Sequence, residues 1–422
     1  MARLIGISVC VLALGIMTGL VFGLLNPYEP EDSTQATGSP SKKQTVKPAP
    51  AEPQPQQPSQ AINRKPDAPW PQFRGGASNR GLSPHPLPEK LSLRWSYKTG
   101  GPVQSSAVIA HGRAYIGAGD GKLHAINLAS GKADWTYETE GDVEAPPLVH
   151  GDQIFIGATD GFFYALNRDG TLAWKAETNG KITGSAALVD DPQTQRTLVL
   201  VGSHAGILHA YDVGRSDGKP IWQYEISDPI NGGIAVDEGR AVFGGCDGKL
   251  HVVSVADGKP VRSVDVGDII ACTAALAGEE AYFGTFSNEF IRADTRSGEV
   301  VWRYRDKPFK YLSSPAVTDR LVIFGGQDKQ VHAVHRDTGK RAWVFKTRGR
   351  VDSSPVVAGE RLVIGSYDGR LYLLETATGK KLDEYELGGR ITGSAAVAPN
   401  LIVIGTESDE VLAFGPPTGA SS

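Results

Sequence analysis

The sequence predicts an all-β fold: an eight-bladed β-propeller of four-stranded antiparallel blades, closed by an N-terminal strand in the last blade and preceded by an N-terminal transmembrane helix. Three observations carry this expectation. A glycine that ends an apolar run recurs at Gly117, Gly157, Gly202, Gly244, Gly284, Gly325, Gly365 and Gly405, in steps of 40, 45, 42, 40, 41, 40 and 40 residues. That is the period of a propeller blade, and the 3.6-residue apolar faces of a helical repeat are missing. Each copy also holds short β-branched and aromatic runs joined by turn residues. In the seventh these are Val351–Val357, Arg361–Gly365, Arg370–Glu375 and Lys381–Leu387, with Asp368-Gly369 and Thr378-Gly379-Lys380 as reversals. Finally, a lone fourth-strand run, Leu91–Lys98, precedes the first copy, and a lone triplet of runs, Gly389–Phe414, follows the last complete one. Joining the two completes a blade and removes the open edges of a linear array.

From the N-terminus, residues 4–25 are 22 residues without a charge. At 1.5 Å per residue they cross a hydrocarbon core of about 30 Å, and they read as an uncleaved signal anchor, with a cleaved signal peptide as the alternative. Arg3 before the run and Glu29, Glu31 and Asp32 after it place the N-terminus in the cytoplasm and the remainder outside, in the periplasm. Gly15, Gly19 and Gly23 share one face of that helix, a candidate contact for a helix dimer, although glycine is common in membrane helices generally. Residues 26–68 carry nine prolines in 43 residues and read as a disordered linker. Its reach is about 35 Å as a coil and about 130 Å fully extended.

Residues 69–91 read as an extension that packs on the propeller through Trp70 and Phe73, residues 92–414 as the propeller, and residues 415–422 as a disordered tail. Tryptophan marks most fourth strands, at Trp95, Trp135, Trp174, Trp222, Trp302 and Trp343, with Arg262 and Asp383 where two more would fall. The stretches Ala125–Trp135, Arg292–Trp302 and Ala333–Trp343, together with the lead-in Trp70-Pro71-Gln72-Phe73-Arg74-Gly75, resemble the tryptophan-docking repeats of the pyrroloquinoline-quinone-like propeller family. The resemblance covers residues 69–414 and implies that these six tryptophans dock between blades. It leaves function open, because the family includes quinoprotein dehydrogenases as well as noncatalytic propellers such as the B subunit of the outer-membrane barrel assembly machinery.

The catalytic branch of that family holds its quinone against a vicinal cysteine disulfide beside a calcium ion, with an aspartate as base. Here no two cysteines are adjacent: Cys10 lies in the apolar run, Cys246 before a hairpin turn, and Cys272 at a small position held elsewhere by Ser105, Ser313 and Ser353. The repeats also leave little room for enclosing insertions. No catalytic residue, cofactor or metal is therefore expected. His124, His209, His251 and His332 share one repeat position with Tyr164 and Tyr372, so they belong to different blades and cannot converge on one ion. Gly117-x-Gly119-x-Gly121 joins two strands and opens no helix, so it reads as a hairpin and not as a phosphate loop.

What remains is the channel mouth, where the innermost strands begin. Pro102, Asp142, Lys181, Pro229, Ile269, Lys310, Arg350 and Arg390 occupy one position there, and Lys310, Arg350 and Arg390 fall in consecutive blades. With Lys181 they form a candidate binding rim for an anionic ligand or acidic partner, against the plain alternative of solvated loop charges. Gln104, Glu144, Thr183, Asn231, Asp352 and Thr392 are expected deeper in the channel, and the Asp190–Gln195 insertion lengthens one hairpin. A net charge of −4 with 21% charged residues gives no footprint for nucleic acid. The expected function is that of a noncatalytic, membrane-anchored propeller that binds protein partners in the cell envelope as an assembly scaffold. The alternatives are a quinoprotein oxidoreductase and a propeller that senses a small ligand or carbohydrate.

Overall fold

The structure, a computed structural model, describes residues 69–416. The apolar segment 4–25 with its three glycines, the linker 26–68 and the end of the tail, 417–422, lie outside the described residues. Among the described residues no helix is long and apolar enough to cross a membrane.

Eight four-stranded antiparallel sheets form the ring. Blades one to seven span residues 108–138, 148–177, 187–225, 235–265, 275–304, 316–346 and 356–386. Blade eight combines residues 396–414 with Leu93–Lys98, and the latter pairs with Glu410–Phe414. The ring is thus closed by strands from both ends of the propeller. Second and third strands alternate side chains into the two neighbouring blades and are almost entirely buried, whereas fourth strands alternate exposed and half-buried residues at the outer rim.

The innermost strands are shorter than their sequence runs. In blade seven only Val356–Ala358 pairs within the sheet, not Val351–Val357. The preceding residues bond to the adjacent blades instead: the Val351 N–H donates to Gly326 O in blade six at 3.0 Å, and the Ser354 N–H to Ser394 Oγ in blade eight at 3.1 Å. A strand facing a channel has no sheet partner on its inner edge, so its polar groups find neighbours around the ring.

That inner edge also explains residues 69–91. From Trp70 to Pro86 the chain makes a circuit of the face opposite the mouth. Trp70 exchanges backbone hydrogen bonds with Ile109 in blade one, and carbonyls of Pro71, Ala77, Ser78, Arg80, Gly81 and Pro86 accept N–H groups of Val149, Val236, Leu276, Val317, Val357 and Asn400. Gln72 Oε1 serves blade three by accepting from the Leu188 N–H at 3.2 Å. All eight blades are contacted. The start of the tail is likewise held, since the Gly415 N–H donates to Ser92 O at 3.0 Å and Arg94 donates to Pro416 O at 2.8 Å.

Candidate functional site

At the mouth, the backbone confirms the repeat register. The carbonyls of Pro102, Asp142, Lys181, Pro229, Ile269, Lys310, Arg350 and Arg390 accept the N–H groups of Gly119, Thr159, His204, Cys246, Phe286, Gln327, Tyr367 and Glu407, all between 2.8 and 3.1 Å. Two concentric rings of side chains result. Lys310, Arg350 and Arg390 lie side by side in blades six to eight, while Lys181 stands apart in blade three, close to His204.

The outer ring supplies two residues that the charge pattern alone did not single out. Lys310 Nζ lies 3.2 Å from the centroid of the Phe286 ring, and the Arg350 guanidinium lies 3.8 Å from that of Tyr367. Arg390 approaches the same Tyr367 ring from the next blade, at 5.8 Å. Such cation–π contacts hold long basic side chains at roughly 0.5–1 kcal/mol each at exposed sites. Their signal was available, because Phe286 and Tyr367 occupy the second position after the repeat glycines Gly284 and Gly365.

Carboxylates temper part of the arc. Arg350 Nε is 3.2 Å from Asp352 Oδ2, and Arg390 is 3.8 Å from Glu407. Burial raises the Asp352 carboxyl above the usual carboxylate range, and the Gln327 amide, which donates to it at 3.2 Å, and Arg350 pull it back. Lys310 has no carboxylate within ion-pair distance among the described residues.

Below the mouth, Gln104, Glu144, Thr183, Asn231 and Thr392 line a cavity of about 180 Å³; Asp352 instead faces Gln327 and Arg350. Two residues further along the inner strands sit Ser106, Pro146, Ser185, Gly233, Thr273, Ser314, Ser354 and Ser394, which complete the wall, and Phe73 closes the floor.

The tryptophans lie between blades. The indole N–H groups of Trp95, Trp135, Trp222, Trp302 and Trp343 donate to the carbonyls of Leu128, Arg168, Val255, Arg336 and Thr376 in the following blade at 2.8 to 3.1 Å. Each ring packs on the glycine of that blade's last turn. A Cβ on Gly131, which has φ +67°, would fall 2.6 Å from the Trp95 ring. Trp174 packs on Gly218 but its N–H finds no partner, because blade three's turn from Asp212 to Gly218 is longer than blade one's from Asn127 to Gly131. Arg262 reaches the Ser297 carbonyl in the same manner. Asp383 faces blade eight, whose fourth strand comes from the N-terminus and leaves no turn to pack on; its carboxylate accepts the Leu91 N–H at 2.7 Å.

The four histidines remain in separate blades. His124, His251 and His332 each contact an aspartate four residues earlier, at 3.2, 2.8 and 3.1 Å, and, through Nδ1, a tyrosine on the fourth strand of the preceding blade. His209 has Ala205 at the aspartate position, and burial lowers its pKa to about 4. Asp306, Asp328 and His332 have donor atoms within 4.8 Å of one another, which could hold a cation. Both His332 nitrogens are already used by Asp328 and Tyr304, the arrangement repeated in blades one and four, so packing accounts for it. Cys246 accepts the Asn231 amide, and Cys272 is buried with its thiol pushed up to about 11 by desolvation; neither is in a disulfide. The blade-three insertion is an internally bonded turn in which Asp191 accepts from the Gln193 and Thr194 N–H groups at 3.1 and 3.2 Å.

Comparison with known proteins places this geometry. The family described as "Outer membrane protein assembly factor BamB" matches residues 87–232 and 211–422. An outer membrane protein assembly factor BamB of Shewanella oneidensis is 23% identical over 195 residues, 42% of this chain and 46% of the relative. A quinohemoprotein alcohol dehydrogenase ADH IIB of Pseudomonas putida is 31% identical over 90 residues, 19% of this chain and 13% of the relative. The chain spans less than half the length of these curated relatives. Among solved structures, the crystal structure of BamB from Moraxella catarrhalis superposes with a TM-score of 0.63 at 19% identity, covering 77% of this chain and 99% of that one. That likeness is one of fold.

Proposed function

Since the chain belongs to the propeller family described as outer membrane protein assembly factor BamB, we propose that it acts outside the cytoplasm as a noncatalytic scaffold that binds protein partners during outer-membrane assembly. The mechanism is presentation. One face of the ring is covered by the N-terminal circuit, and the opposite mouth displays Lys310, Arg350 and Arg390 steadied over Phe286 and Tyr367. This cationic and aromatic arc is the observation that carries the reading. It suits an acidic segment with an aromatic or apolar side chain, since exposed cations attract the former and ring faces the latter. In this reading residues 4–25 tether the ring to the inner membrane and residues 26–68 give it reach.

Photo-crosslinking from Tyr367, replaced by a photoreactive phenylalanine in the full chain, tests the arc. Envelope proteins crosslinked from that position and absent when Lys310, Arg350 and Arg390 are reversed to glutamate are the expected result. A crosslinking pattern unchanged by the triple reversal would remove the arc from the function.

The match to a quinohemoprotein alcohol dehydrogenase favours a second reading, oxidation of an alcohol with a bound quinone. That match covers 19% of this chain, and the sequence has no adjacent cysteines to form the disulfide such quinone sites use.

A further inference from the structure

Arg74 is a buried cation without a counter-charge among the described residues. Its chain position lies between Gln72, which bonds to blade three, and Ala77, which bonds to blade four. Its guanidinium donates to Pro355 O and Pro315 O in blades seven and six, both at 2.6 Å. The side chain therefore crosses the floor of the channel. It is 2% exposed, makes no ion pair with any described residue, and leaves Nε without a hydrogen-bond partner. Burial lowers its pKa to about 9, so it stays charged at neutral pH. An isolated buried charge of this kind is unfavourable unless something neutralises it.

Next to the acceptors of Arg74 runs a belt of hydroxyls. The N–H groups of Gly233, Thr273, Ser314, Ser354 and Ser394 donate to the hydroxyl oxygens of Thr273, Ser314, Ser354, Ser394 and Ser106, each in the next blade, at 2.8 to 3.1 Å. Each of these oxygens is thus used as an acceptor, and its O–H remains a donor on the cavity wall. The hydroxyl of Ser185, a residue 3% exposed, has no hydrogen-bond partner, because its neighbour around the ring is Pro146, which has no N–H to give. Pro315 and Pro355, the acceptors of Arg74, immediately follow Ser314 and Ser354. The donors thus line the cavity, and the Arg74 charge lies behind its floor, bonded to the carbonyls that follow two of them; the belt itself holds no carboxylate, and Glu144, two residues nearer the mouth, is the one charged side chain in the lining.

We propose that the channel floor is a binding site for a small oxyanion, held by the hydroxyl belt and offsetting the charge of Arg74 from across the cavity wall. A divalent cation is poorly served here, since Glu144 is the single carboxylate in the lining and the nearby guanidinium repels positive charge. The cavity of about 180 Å³ suits an ion of a few heavy atoms, such as inorganic phosphate or a carboxylate. The site is independent of partner binding at the rim.

Isothermal titration calorimetry of the purified full chain tests it, with inorganic phosphate, acetate and calcium as separate titrants at ionic strength held with sodium HEPES. Saturable, one-to-one binding of phosphate or acetate is expected; the stronger of the two tells a free oxyanion from a carboxylate. Arg74→Gln should abolish that binding, and Ser185→Ala, which removes a hydroxyl that bonds to nothing in the protein, should weaken it about tenfold. Reversing Lys310, Arg350 and Arg390 to glutamate should leave the stoichiometry unchanged. The proposal is overturned if neither anion saturates, if Ser185→Ala binds like the wild type, or if calcium is the titrant that binds. Should Arg74→Gln fail to fold, the Ser185→Ala result decides alone.

Discussion

The backbone N–H of Ser394 donates to the hydroxyl of Ser106 at 2.8 Å, across 288 residues of sequence. It is the inner counterpart of the outer closure, in which Trp95 pairs with Ala413 and Lys98 with Glu410. Ser106→Ala should leave the buried Ser394 N–H without a partner and lower stability by about 1–3 kcal/mol. Deleting Leu91–Lys98 should cost more, because an entire edge of blade eight loses its hydrogen bonds and its cover. Urea unfolding of the full chain compares the two, and a deletion with an unshifted midpoint would contradict the closure.

The tryptophan docks should differ in strength by blade. Trp343→Phe removes the indole donor to the Thr376 carbonyl and should cost about 1 kcal/mol more than Trp174→Phe, whose N–H has no partner to lose. Both rings are largely buried, so the apolar loss is similar in the two variants. Equal midpoints in denaturant would show that packing on the turn, and not the hydrogen bond, does the docking.

His209 should make the fold acid-sensitive. Its pKa falls from the ordinary value near 6.5 to about 4 in the folded chain, first through burial. The unfolded chain therefore binds more protons between these values, and stability rises with pH through that window, so it is lost as pH falls from about 6.5 towards 4. Ala205→Asp restores the carboxylate found beside His124, His251 and His332 and should flatten the loss. Thermal midpoints at pH 7, 5.5 and 4.5 measure it, with the steeper decline expected in the wild type.

These residues show what was legible in the chain beforehand. The ring, its closure and the mouth register follow from the period and from the positions of Gly117 to Gly405, because a repeat forces equivalent residues to equivalent places. Arg74 was not legible as a channel-floor residue. Its position depends on a left-handed backbone turn at φ 60° and on acceptors 241 and 281 residues away, neither of which has a periodic signature. Asp383 is a middle case. It read as a missing tryptophan, and only the closed ring shows that no turn exists there for a tryptophan to pack on.

Supplied with pyrroloquinoline quinone and calcium, the purified chain should show no dye-linked oxidation of alcohols or sugars. Cys246 and Cys272, the two propeller cysteines, are not adjacent in the chain and belong to different blades, so they cannot supply the vicinal disulfide that such quinone sites use. Turnover requiring both additions would bring the oxidoreductase reading to the front.

The arc makes the last prediction. Asp352 sits 3.2 Å from Arg350 and offsets part of its charge, while burial holds its carboxyl above the ordinary carboxylate range. Protonating it as pH falls through that raised range frees Arg350 of its counter-ion, so an acidic partner should bind more tightly at the acid end of the window. Asp352→Asn mimics the protonated form at every pH. It should strengthen capture of an acidic peptide by a few-fold near neutrality, remove the pH dependence, and keep the decline in affinity between 0.05 and about 0.5 M salt that an exposed electrostatic contact shows. Fluorescence anisotropy with a glutamate-rich, phenylalanine-containing peptide reads all three. If Asp352→Asn binds no better than the wild type and salt has no effect, the aromatic faces of Phe286 and Tyr367 carry the contact and the charges only surround it.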